Sequence, residues 1–126
     1  MKNTVKILIL MAMGLFLGSC YNDTFPEEEE GPAPTDVSYS EKIQPLWNTD
    51  CTSCHPSIAQ PDLSSNNSYN SLINGGFVIP GNADDSVLYQ SLLGSNGVSL
   101  MPTSGQWPIS QIKLVESWIN EGAKDN

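Results

Sequence analysis

Cys51-Thr52-Ser53-Cys54-His55 sets two thiols one helical turn apart and places an imidazole directly beside the second. His55 is the only histidine in the 126-residue chain, and Cys20 is the only other cysteine. A disulfide between Cys51 and Cys54 would close too small a loop to staple a fold. A zinc ion would find two sulfurs and one nitrogen, with no further His, and no Cys but the distant Cys20, to complete a tetrahedral set. A redox dithiol of the thioredoxin kind is a third use of two cysteines at this spacing, but that fold needs βαβ units. No alternating strand pattern of useful length is visible anywhere in the chain.

On both sides of the motif the apolar periodicity is helical and comes in short pieces. Tyr39, Ile43, Leu46 and Trp47 share one helical face, with Ser40 as the expected cap and Pro45 expected to kink or shorten the helix. Tyr69, Leu72 and Ile73 form a brief face ended by Gly75-Gly76. Asp85 or Ser86 is positioned to cap a third helix carrying Val87, Leu88, Leu92 and Leu93 and stopped by Gly94. Ser110 is expected to cap the last helix, whose Ile112, Val115, Trp118 and Ile119 make a broad apolar stripe, with Gly122 just past its end. The expected fold is all-α, about four short helices. Such a small domain buries little apolar surface and needs an additional source of stability.

Further upstream, Lys2 and Lys6 precede 11 apolar residues from Ile7 to Leu17, a span suited to a signal sequence and too short to cross a bilayer. The run ends in Leu17-Gly18-Ser19-Cys20, which resembles the lipobox of bacterial lipoproteins. That resemblance implies a signal peptide over 1–19, cleavage before Cys20, and acyl chains on Cys20 that anchor the protein to a membrane. Residues 21–36 (YNDTFPEEEEGPAPTD) are rich in Pro and Glu and read as an acidic flexible linker, so the lipidated Cys and linker cover 20–36 and the folded domain 37–126. The early acidic run also resembles export signals of surface lipoproteins. Cleavage would leave 107 residues, with three Lys and no Arg against all 14 acidic side chains and a formal charge of −11. A nucleic-acid partner is excluded on charge, and a basic protein partner is favoured.

CxxCH is the pattern of covalent haem attachment. Two thiols at this spacing reach the two vinyl groups on one porphyrin edge, and the adjoining imidazole lies under the ring. The chain around it resembles the cytochrome c family, specifically the planctomycete-type cytochrome c domain. The resemblance runs through Ser40-Glu41-Lys42-Ile43-Gln44-Pro45-Leu46 before the motif, Pro80-Gly81-Asn82 and Ser86-Val87-Leu88 after it, Met101-Pro102, and the closing Trp118-Ile119-Asn120-Glu121-Gly122-Ala123. It covers most of 38–123. Pro56, following the motif, departs from the more usual Gly.

The resemblance implies a small cytochrome c-like fold around one haem c, thioether bonds at Cys51 and Cys54, and iron ligation by His55. Met101 is the only Met left after signal cleavage and sits in the loop 94–106 (GSNGVSLMPTSGQ), where the family commonly places its second axial ligand; a Met filling a core gap is the alternative. Pro61-Asp62-Leu63 is similar to the Pro-x-Leu whose backbone carbonyl supports the proximal His. With no Arg available, Trp107 and Lys113 are candidate donors to the haem propionates, ordinary packing being the other use for Trp107. Trp47 and Trp118 lie on core faces. The implied function is a membrane-anchored one-electron carrier, not an enzyme, exported to the periplasmic face of a membrane or the cell surface. It would serve redox partner proteins with a basic docking surface and take no small-molecule substrate. The alternatives are a haem domain whose labile Met101 admits peroxide or a gas, and a docking module feeding one exported enzyme.

Overall fold

The structure is a computed structural model that describes residues 31–56 and 59–126. The expected signal peptide, Cys20 and the linker up to residue 30 lie outside the described residues. The chain from Pro32 onward forms one compact unit. Its elements are a π-helical turn (Tyr39–Ile43) running into α1 (Gln44–Asp50), then α2 (Ser68–Asn74), α3 (Val87–Leu93) and α4 (Ile109–Asn120). Among the described residues there is no strand, only an isolated bridge between Ile79 and Asn82. The all-α expectation therefore holds. No helix among the described residues is long and apolar enough to cross a membrane.

Pro45 shapes the first element. It stands in the first turn of α1, where a missing N–H costs nothing, and the residues before it widen into the π turn closed by Gln44 N–H to the Tyr39 carbonyl. The cap is Ser38 and not Ser40. Ser38 Oγ accepts from the Glu41 N–H at 3.3 Å, while the Ser40 hydroxyl donates to the Asn126 carbonyl at 2.8 Å. The π turn starts two residues earlier than a cap at Ser40 would set it, which moves the cap with it.

Two other expected caps also serve differently. Ser86 precedes α3, but its hydroxyl donates to the Asn82 carbonyl and accepts from the Ile79 N–H, closing the loop ahead of the helix instead of capping it. Pro108, with φ fixed near helical values, starts α4 at Ile109, so Ser110 falls inside the first turn. Helix ends follow expectation more closely: Gly94 stops α3 in the left-handed region at φ 62°, and Gly122 follows α4 at φ 101°.

The core lies between the two ends of the domain. Ile112, Val115, Trp118 and Ile119 of α4 are all buried, and α4 packs on both the π turn and α3. Tyr39 meets Trp118 with ring centroids 5.0 Å apart and Tyr69 edge-on at 5.3 Å. Burial pushes the Tyr39 phenol up to about 12, and its hydroxyl is satisfied by Ser68 Oγ at 2.6 Å. Ser68 in turn donates to Gln44 Oε1, and Gln44 Nε2 donates to the Leu63 carbonyl at 3.3 Å. This buried polar chain couples the first helix to the segment just after the CxxCH motif.

Candidate functional site

α1 ends at Asp50, and the motif continues it as hydrogen-bonded turns. Cys51 N–H and Thr52 N–H both bond the Trp47 carbonyl, and His55 N–H bonds Cys51 O at 2.8 Å. Both thiols are free; Cys51 is half-buried and Cys54 exposed. Burial, reinforced by the Asp50 carboxylate and the neighbouring Cys54, pushes the Cys51 thiol up to about 11. That direction is opposite to the lowered values by which reactive dithiols work.

His55 is oriented by the loop that follows. Its Nδ1 lies 3.2 Å from the Pro61 carbonyl, and its own carbonyl accepts from the Leu63 N–H at 2.9 Å. A carbonyl can only accept, so the contact places the ring proton on Nδ1 and leaves the Nε2 lone pair for a metal. The support expected from Pro61-Asp62-Leu63 is thus present in spite of the short separation. Asp62 organises this loop: its carboxylate accepts from Ser64 N–H, Ser64 Oγ and Asn67 Nδ2, and its N–H donates to Ser71 Oγ. Those Ser64 and Asn67 donors hold the Asp62 carboxyl below its ordinary value.

Two clefts share His55 and Met101 in their walls. The first, about 300 Å³, is lined mainly by apolar groups, among them Leu63, Phe77, Val87, Leu88 and Leu92. The second, about 290 Å³, carries Cys51, Cys54, Asp50 and the segment Met101-Pro102-Thr103-Ser104. The Met101 loop is tied to α3 by its N–H bonding the Ser91 carbonyl at 2.8 Å. Met101 and Val87 are large apolar side chains left 37% and 40% exposed, both at the first cleft. Four of the expected site residues, Cys51, Cys54, His55 and Met101, are therefore brought together.

The remaining candidates fall elsewhere. Trp107 is 6% exposed and stacks on Trp47 at 5.8 Å, in neither cleft wall. The Trp107 indole N–H is buried without a hydrogen-bond partner among the described residues, whereas that of Trp47 is directed at the Tyr39 hydroxyl. Lys113 lies on α4 in a separate groove with Ala33, Pro34, Glu116 and Glu121, away from His55. Cys20 is outside the described residues. Sequence reasoning missed Phe77, Val98 and Ser91 as cleft residues and set Val87 in the core. Phe77 and Val98 belong to loops with no period to betray them, and Val87 differs from its neighbour Leu88 only by one helical step.

The donor set and the walls fit a flat apolar macrocycle carrying a metal. Cys51 and Cys54 line the second cleft, His55 and Met101 line both, and the walls of the first are mainly apolar. Among the described residues no cluster of three or more His, Cys, Asp or Glu exists that would hold a bare metal ion. Compared with family models, with curated proteins and with solved structures, the chain matches none.

Proposed function

We propose that the chain is a monohaem c-type cytochrome, exported and held at a membrane by lipid on Cys20, which passes single electrons between partner proteins. The observation that carries this reading is the shared lining of the two clefts by His55 and Met101, with Cys51 and Cys54 alongside. When bound, a haem supplies an iron that alternates between ferrous and ferric states.

The chain's own residues account for the rest. Cys51 and Cys54 anchor the macrocycle edge. His55 presents Nε2 because Nδ1–H is committed to Pro61. Met101 would offer a thioether and His55 an imidazole nitrogen to the iron, and thioether donation would favour the reduced state. Leu63, Phe77, Leu88 and Leu92 exclude water and act in the same direction, whereas the acidic surface opposes them. With both donors engaged, the iron would keep no position for a substrate. The same acidic surface suits a basic partner.

A second reading rests on the 37% exposure of Met101: a thioether within reach of solvent is displaceable, and its departure would admit peroxide or a gas.

Redox titration of the exported protein tests the proposal. The expected result is one reversible wave with a slope of about 59 mV per tenfold change in ratio, and no turnover of peroxide. A slope of about 30 mV, the signature of a two-electron dithiol, contradicts it.

A further inference from the structure

Asn-Gly occurs twice, at Asn74-Gly75 and at Asn96-Gly97, and the fold treats the two pairs differently. Asn96 and Gly97 are exposed, with φ of 53° and 80°, in a turn closed by Val98 N–H to Ser95 O at 2.9 Å. Both central residues of such a turn need positive φ, which is the structural reason for Asn-Gly there. Among the described residues no hydrogen bond engages the Gly97 N–H or the Asn96 side chain, and a Cβ at Gly97 would meet nothing within 4 Å. Asn74 instead ends α2. Gly75 N–H donates to the Ser71 carbonyl at 3.1 Å, and a Cβ at Gly75 would strike that carbonyl and the Phe77 ring.

We infer that Asn96 is a site of spontaneous conversion to aspartate and isoaspartate, from which the fold protects Asn74. The Gly97 nitrogen attacks Asn96 Cγ as its proton passes to solvent base. The N–Cγ bond forms, the Cγ–Nδ2 bond breaks, and Nδ2 leaves as ammonia. Water then opens the cyclic imide at either carbonyl, so the net change is amide plus water to carboxylic acid plus ammonia, with no electron transferred. At Asn96 the required rotation of the backbone breaks no bond to the Gly97 N–H. At Asn74 it requires α2 to lose its last turn and Gly75 to leave Ser71. The product adds one negative charge five residues before Met101. Its isoaspartyl form also adds a backbone methylene to the loop held by the Met101–Ser91 bond. The inference stands apart from haem binding, so either can fail without the other.

Incubation of the full chain in mildly alkaline buffer, followed by peptide mapping by mass, tests it. The native protein should gain about 1 Da at the peptide carrying Asn96, and accept methyl groups from an isoaspartyl methyltransferase there, at least about tenfold faster than at Asn74. In urea the two rates should converge. Equal rates in the native protein, faster reaction at Asn74, or a ratio that urea leaves unchanged would overturn it.

Discussion

Met101→Ala, matured with its haem, is expected to bind carbon monoxide in the ferrous state where the parent protein does not. Its reduction potential should also fall, by on the order of 0.1–0.2 V within the roughly 0.8 V that axial ligands span. The physical basis is the proposed role of the thioether as a donor to the iron, which Ala has no atom to replace. Fold damage is a poor rival explanation. Met101 is more than a third exposed and its loop is held by a backbone bond to Ser91, which the substitution spares. The stability cost should stay below about 1 kcal/mol. Parent and variant that bind carbon monoxide equally, at unchanged potential, would show that Met101 only fills space.

Trp118→Ala is expected to be the most destabilising single change in the domain. Trp118 is 1% exposed, faces the Tyr39 ring at 5.0 Å, and donates its indole N–H to the Lys124 carbonyl at 2.9 Å. Truncating a buried Trp costs about 3–5 kcal/mol. At about 4–8 °C per kcal/mol for a domain of this size, Tm should drop by about 12 °C or more. Trp118→Phe keeps a ring against Tyr39 but loses the hydrogen bond and part of the ring volume, so a smaller cost of about 2 kcal/mol is expected. A Tm within a few degrees of the parent for Trp118→Ala would mean that the contact between the first turn and α4 does not hold the domain together.

Sequence periodicity located α4 well because its stripe is long enough to show a phase: Ile112, Val115, Trp118 and Ile119 are all buried as expected. The shorter helices were placed, but their faces were only half legible. In α3, seven residues long, Leu88 and Leu92 are buried while Val87 and Leu93 are exposed, and two turns of pattern do not separate a core face from a cleft face. Caps were the least legible feature. Ser40 and Ser86 have the right chemistry, but partners outside their helices, the distant Asn126 for one and the preceding loop's Asn82 and Ile79 for the other, claim their hydroxyls.

At the site, the covalent spacing at Cys51, Cys54 and His55 and the elimination of other methionines were readable directly, and the clefts place those residues together with Met101. The placement of Trp107 and Lys113 was not readable, because it depends on how distant segments pack and no local pattern encodes that. Trp107 turned out to be stacked on Trp47, and Lys113 to lie in another groove.

A single intact-mass spectrum of chain exported by a host able to mature such proteins, read beside its visible absorbance after alkaline denaturation, bears most directly on the site. The account predicts a coloured polypeptide heavier by one haem that denaturation does not release, reduced to none when Cys51 and Cys54 are both replaced by Ser. A colourless product of unmodified mass at both thiols, or one whose Cys51 and Cys54 are joined to each other, would contradict it.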